Sequence, residues 1–224
     1  MCLEIVTMFV DRKDAGQQLA RALERYKDRN VVVLAIPKGG VEVGYEVARR
    51  LNAEFSLIIA RKLPYPYNTE AGFGAVAEDG SFYLHEEAAS LLPRPVIERV
   101  VWEQRCEIER RVHELRGDKP LPGLTGKTVI LVDDGIAMGS TMRVAIALCR
   151  NRQAAKVVVA VPVAGLEIAR AMASLADEVV ILEMPPYFRA VAQVYQHWYD
   201  VSDEEVLEVM RRQTNKASST IAPR

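Results

Sequence analysis

The stretch Val129-Ile130-Leu131-Val132-Asp133-Asp134-Gly135-Ile136-Ala137-Met138-Gly139-Ser140-Thr141 constrains this chain more than any other. Four branched apolar residues run directly into two acids. A run this short reads as a strand covered on both faces of a parallel sheet, not as a buried helix. Small residues follow, then a helical pattern from Met142 to Arg150. The acid pair therefore falls at the carboxyl end of a strand, where open α/β sheets bind ligands. Gly139, Ser140 and Thr141 form the turn into the helix. There, free N–H groups and the positive end of the helix dipole favour a phosphate. Two carboxylates can accept hydrogen bonds from vicinal hydroxyls or hold a hard divalent cation. A ribose 5-phosphate carries vicinal hydroxyls at one end and a phosphate at the other, so it suits both halves of the loop. The plainer reading is a βα turn with a solvated acid pair.

Similar patterning recurs along the chain. Asp11 can cap a helix over about 12–28, with Ala15, Leu19, Ala22, Leu23 and Tyr26 on one face. Val31 to Ile36 reads as a buried strand leading through Pro37-Lys38-Gly39-Gly40 into a helix from Val41 to Leu51. In that turn the glycines let backbone approach a ligand and Lys38 supplies a cation. A tight turn with an exposed Lys is the alternative. Phe55 to Ala60 is a further strand, ending in Arg61-Lys62, two cations that suit a diphosphate or are simply surface charge. Pro64 to Gly74 is loop-like and of the length expected of a lid. Tyr65 and Tyr67 within it carry no assigned role. Ala75–Ala77 and Ser81–Leu84 flank an Asp79-Gly80 turn and read as a hairpin. Pro95 opens a long amphipathic helix, about Val96 to Arg116, that Gly117 stops. Residues 118–127 are a connector. Strands over 156–161 and 178–183 flank a helix over 166–175. Ser202-Asp203-Glu204-Glu205 makes a capping box for a last helix to about Arg212. Residues 1–10 are expected to pack on the domain edge, and the polar residues 213–224 to be disordered.

Five strands alternating with helices, plus a hairpin, give a three-layer α/β domain with a mostly parallel sheet. At 224 residues, half of them apolar, the chain fits one sizeable domain over 1–212 with an insertion over about 63–127. A net charge of −1 argues against a nucleic-acid surface. Cys2, Cys106 and Cys149 lack metal-site spacing and read as thiols of a reducing cytosol, hence a cytoplasmic protein. No signal peptide is visible, and no apolar run approaches the ~20 residues of a membrane span.

The central stretch resembles the motif by which type I phosphoribosyltransferases bind 5-phosphoribosyl-1-pyrophosphate (PRPP): an apolar strand, two acids, a short spacer, then Thr-Gly-x-Thr. Asp133, Asp134, Gly139 and Thr141 match. Met138 stands at the family's first Thr, which removes a hydroxyl but keeps the backbone N–H. Ala137 stands where many members carry an Asp thought to help move the base's proton. Other members carry Ala. The similarity extends from about Phe9 to Arg212. The Pro-Lys-Gly-Gly-Val turn, the long insertion helix and the Ser-Asp-Glu-Glu-Val end resemble a branch of predicted phosphoribosyltransferases.

The resemblance implies a PRPP loop at the switch point of the sheet, with the strands near 31–36 and 128–132 side by side. It also implies a mobile loop in the insertion and a C-terminal hood. It implies transfer of the 5-phosphoribosyl group of PRPP to a nucleobase-like small molecule, with release of pyrophosphate. Mg2+ (or Mn2+) would assist, in a homodimer without nucleic-acid or membrane partners. In that scheme Asp133 and Asp134 hold the ribose hydroxyls and the metal. Lys38, Arg61 and Lys62 sit on the pyrophosphate, with Gly39 and Gly40 approaching it through a cis peptide at Lys38–Gly39. Asp133, Asp134, Lys38 and Arg61 are the catalytic set. Ala137, Met138, Gly139, Ser140 and Thr141 fix the 5-phosphate, and Phe188, with Tyr187 second, stacks on the base. Tyr195, Trp198 and Tyr199 are hood or core packing. His85 and His113 are titratable but unassigned. The alternative is a non-catalytic PRPP or nucleotide-binding regulatory module, which Ala137 and Met138 keep open. A dinucleotide-binding fold lacks its Gly-x-Gly-x-x-Gly, and a hydrolase lacks its nucleophile elbow.

Overall fold

The computed structural model describes the backbone of residues 8–220, and their side chains except those of Glu70 and 214–220. Its centre is a five-stranded parallel sheet in the order β2-β1-β6-β7-β8. The strands are β1 (Val31–Ala35), β2 (Glu54–Leu57), β6 (Thr128–Val132), β7 (Lys156–Val163) and β8 (Glu178–Glu183). Alternation sorts their side chains between two cores. Val31, Val33, Ala35, Ile130, Val132, Val158 and Ala160 point one way, into a core with α1 (Arg12–Ala22) and α2 (Gly40–Leu51). Val32, Leu34, Val129, Leu131, Val157 and Val159 point the other way, toward α5 (Ser140–Asn151) and α6 (Leu166–Ala173). Each fully buried Val, Leu or Ile contributes ~1.5–3 kcal/mol, which is why the strands are apolar on both faces. The expected mostly parallel α/β sheet is therefore present.

β1 pairs with β6 in the register Ala35↔Val132, so both strands end side by side and their following loops face one another. This is the arrangement expected at the switch point. At the edge, the Met8 and Phe9 N–H groups donate to the Val194 carbonyl at 3.0 and 2.9 Å, and Phe9 is buried. Residues 1–7 of the expected N-terminal packing segment lie outside the described residues.

A second, antiparallel sheet is formed by β3 (Ala60–Tyr65), β4 (Asn68–Ala77) and β5 (Phe82–Leu84). It corrects two expectations. The strand expected over 55–60 leaves the parallel sheet after Leu57, and Ala60 already belongs to the new sheet. The expected open loop from Pro64 to Gly74 is mostly a paired hairpin whose turn is Pro66-Tyr67, with Tyr67 exposed. Pairing places Lys62, Ala75 and Tyr83 in one row, and Arg61, Val76 and Phe82 in the next. Adjacent rows face opposite sides. Ala75 and Tyr83 pack in the α5 core, whereas Val76 packs in the core shared with α4 (Arg94–Arg116).

α4 has Pro95 in its first turn and ends at Gly117. Its charged face carries ion pairs of Glu107 with Arg110 and Arg111. At its end, buried Arg116 donates to Glu78 (Nη1–Oε1 2.8 Å) and to the Leu57 carbonyl (3.1 Å), pinning the crossing from β2 into β3. A short helix α3 (Glu86–Ser90), not anticipated, precedes α4. The last helix, α7, runs Asp203–Thr220, past the expected end at Arg212, so residues 213–220 of the expected disordered tail are helical. Residues 221–224 lie outside the described residues. Among the described residues, no helix is long and apolar enough to cross a membrane.

Candidate active site

Two βα turns meet at the carboxyl ends of β1 and β6. The β6 turn carries the acid pair and is tied to β7 by the Ile136 N–H, which donates to the Val163 carbonyl at 2.9 Å. It enters α5 through Gly139 at φ +79, a conformation that a side chain would strain. The β1 turn contains a cis peptide between Pro37 and Lys38, one bond earlier than the expected Lys38–Gly39. The turns touch backbone to carboxylate. A Cβ on Gly39 would lie 1.8 Å from Asp134 Oδ2, and one on Gly40 2.8 Å from the Asp133 Cα.

The two acids do different things. Asp134 is buried, and its Oδ2 accepts from Arg12 Nε at 2.8 Å. The ion-paired side chains are only 7% and 12% exposed. Arg12 also donates through Nη1 to the Tyr199 carbonyl at 2.9 Å and lies over the Trp198 ring, 4.0 Å from its centroid. The Tyr195 hydroxyl donates to the Asp134 carbonyl oxygen at 2.7 Å. The expected hood aromatics thus frame the motif. Burial raises the Asp134 pKa, and the Arg12 charge opposes the rise. Asp133 accepts from the Asp134 N–H through Oδ1 at 2.9 Å and borders the crevice. Its pKa stands well above the ordinary range, first because of burial and then because of the neighbouring Asp134 charge.

The crevice has a volume of about 240 Å3 and is walled by Lys62, Gly72, Asp133, Val191 and the loop 135–142. All five expected phosphate-loop residues, Ala137, Met138, Gly139, Ser140 and Thr141, line it. Met138 is half-exposed at its rim. The Lys62 stem crosses Gly72, where a Cβ would meet its Cγ at 2.5 Å. A larger cavity of about 480 Å3 lies between α1, α2 and α7; Arg12 and Tyr199 border it, but neither the acid pair nor the 135–142 loop does.

The remaining expected residues are placed elsewhere. Arg61 does not accompany Lys62. It donates to Gln104 Oε1 at 3.1 Å on the α4 side of the hairpin, where burial and nearby Arg111 lower its pKa. Strand alternation thus places the two cations on opposite faces of the hairpin, not side by side as expected. Lys38 Nζ lies 3.2 Å from Asp203 Oδ1, at the start of α7. Phe188 does not wall the crevice; it packs beside Val163, Val194 and Tyr195, with its ring edge over Gly165. Tyr187 is exposed, and Val191 is the residue of that segment that faces the loop. His85 Nδ1 lies 3.3 Å from the Tyr83 hydroxyl, and His113 Nδ1 lies 2.7 Å from Asp118 Oδ2 on the surface. Among the described residues, no three His, Cys, Asp or Glu side chains gather as a metal site. Arg12 was not legible from sequence: a single Arg opening a charged helix carries no local signal of a partner 122 positions away.

A family model for the phosphoribosyl transferase domain matches residues 9–196. Two curated Mycobacterium tuberculosis proteins, from strains CDC 1551 and H37Rv, each carry the provisional name of a phosphoribosyl transferase. They are 40% identical to this chain over 207 residues, covering 92% of it and 47% of each relative. The chain thus spans about half the length of these relatives. The crystal structure of the Thermus thermophilus protein TT1426 matches with a TM-score of 0.76 at 38% identity, over 91% of this chain and 98% of that one.

Proposed function

The chain belongs to the type I phosphoribosyltransferase family, and on that premise we propose that it moves the 5-phosphoribosyl group of PRPP to a nucleobase-like acceptor and releases pyrophosphate. One observation carries this reading: Asp133, Lys62 and the 137–141 loop at the start of α5 share a single crevice at the switch point. In such a transfer the C1–oxygen bond to pyrophosphate breaks, so positive charge builds on the sugar and negative charge on the leaving group. Asp133 would accept from the ribose hydroxyls and offset the sugar's charge. Backbone N–H groups of 137–141, with the Ser140 and Thr141 hydroxyls, would hold the 5-phosphate. Lys62 would meet the leaving diphosphate, and Lys38 would join it by leaving Asp203.

The donor set suits a Mg2+ (or Mn2+) that arrives with the substrate, because such ions take one or two carboxylates and complete their shell with phosphate oxygens and water. Asp133 would share that ion, which would neutralise charge on the leaving group. Ala137 offers no base. The acceptor must therefore enter as an anion or lose its proton to a group outside the loop. A homodimeric, cytoplasmic protein is part of the same reading.

The second reading, a PRPP or nucleotide sensor without turnover, draws on Ala137 and Met138 lining the crevice. The experiment is pyrophosphate release from PRPP with Mg2+ across a panel of nucleobases, with Asp133→Asn as control. Acceptor-dependent release that the variant loses supports transfer. PRPP binding without release for any acceptor supports the sensor.

A further inference from the structure

We propose that Arg12 is a positioning residue that divides the labour of the acid pair. It holds Asp134 as a buried counter-ion between the two βα turns, leaving Asp133 as the carboxylate presented to the ribose hydroxyls. The inference rests on the PRPP reading of the crevice and refines it, since the family resemblance assigns both acids to ligand.

Four contacts fix Asp134 where it lies. Arg12 Nε holds Oδ2 at 2.8 Å. The Gly39 backbone packs against the same oxygen so closely that no side chain fits between them. The Tyr195 hydroxyl holds the residue's own carbonyl at 2.7 Å. The Asp134 N–H donates to Asp133. Arg12 is fixed in turn by the Tyr199 carbonyl and the face of Trp198. Arg12 and Gly39 occupy Asp134 Oδ2, so drawing this carboxylate out toward a ligand would loosen it from a guanidinium that has almost no access to water. An uncompensated buried cation is strongly unfavourable, more so than the loss of one pairing contact. Asp133 meets no such barrier. It already borders the crevice, and it is held only from within its own loop, by the Asp134 N–H and side chain. Trp198 and Tyr199 therefore act on the motif through Arg12, and Tyr195 acts through the Asp134 carbonyl, none of them by touching substrate.

The test uses ribose 5-phosphate and PRPP with Mg2+ as probes in calorimetric titrations of the full chain, alongside urea unfolding. Asp133→Asn is expected to weaken binding of both probes about tenfold or more, the worth of a hydrogen bond to a charged group. Arg12→Gln should also weaken it about tenfold, because Asp134 loses its counter-ion and the turn shifts. The deciding variant is Arg12→Gln with Asp134→Asn, a neutral pair that can keep one hydrogen bond. If Asp134 only positions, this double variant recovers affinity to within about threefold of wild type, despite lacking the second carboxylate. A double variant as weak as Asp133→Asn overturns the proposal, because Asp134 would then be a ligand in its own right. Should the double variant not fold, the single variants decide. Asp134→Asn and Arg12→Gln break the same pair and should lose affinity alike, and a loss in Asp134→Asn about tenfold beyond that of Arg12→Gln overturns the proposal, because the acid would then touch the ligand itself. If wild type binds neither probe, the functional reading fails by itself. The latch is then judged on unfolding, where additive losses for Arg12→Gln and Asp134→Asn overturn it.

Discussion

Gly39 lies so close to Asp134 that a β-carbon on it would stand 1.8 Å from the Asp134 Oδ2. The two turns of the crevice are thus in backbone-to-carboxylate contact, and the carboxylate cannot retreat because Arg12 holds it from elsewhere. Gly39→Ala must push the β1 turn off the acid pair. Overpacking of this kind costs about 1–3 kcal/mol, and here the displaced group is an ion pair. The variant is expected to unfold at lower urea and to lose PRPP affinity. A midpoint and affinity equal to wild type would show that the turns do not meet this way.

Lys62 and Arg61 separate by strand alternation, one toward α5 and the crevice, the other toward Gln104 on α4. Lys62→Ala should weaken pyrophosphate binding, measured by calorimetry with Mg2+, by about tenfold, as expected for a charge-assisted contact. Arg61→Ala should leave that affinity within about twofold and act on stability instead, since it removes a partly buried contact with α4. The reverse ranking would mean that the hairpin turns its other face to the ligand.

The Asp133 carboxyl titrates well above its ordinary value of 3.8, held there by burial and by the charge of Asp134. Between 3.8 and the raised value the unfolded chain has lost a proton that the folded chain still carries. Raising the pH through that window therefore costs stability, ~1.4 kcal/mol for each unit of the rise. Asp133→Asn escapes this cost. It should be more stable than wild type at neutral pH, and the difference should close as the pH falls below 3.8. Urea midpoints across that range check it, and a variant less stable than wild type at neutral pH refutes it.

Thr141 lines the crevice in the first turn of α5, where the proposed function places the 5-phosphate. Thr141→Ala should cost about 1 kcal/mol of PRPP affinity, the usual net worth of one hydrogen bond. Met138→Thr, which returns a hydroxyl to the rim, should bind equally or more tightly. Unchanged affinity in the first variant would misplace the phosphate, and a large loss in the second would give Met138 a role of its own.

The parallel sheet was legible because its strands are apolar on both faces and short: Val129 to Val132 cannot be a surface element, and Asp133 marks where it stops. The hairpin was not. Ile58, Ile59 and Ala60 continue the apolar run of β2 without a break, so nothing local announces that the chain changes sheets after Leu57. Pro64 reads as a strand breaker, yet it sits at a shift in the β3–β4 register, where a bulge tolerates it. The 137–141 loop was legible residue by residue as crevice lining, since its pattern is local. The Arg12–Asp134 pair joins residues 122 positions apart, and the separation of Arg61 from Lys62 depends on which helix covers each face of a small sheet. Such relationships belong to the tertiary packing and leave no spacing to read.

The proposed function stands on PRPP binding in the crevice between the β1 and β6 turns. Calorimetric titration of the full chain with PRPP, with and without Mg2+, tests it most directly. Saturable binding is expected, strengthened by the metal and weakened about tenfold or more in Asp133→Asn. No heat of binding from PRPP, ribose 5-phosphate or nucleotides under either condition would contradict it, and would mean that the chain keeps the family's fold without its ligand.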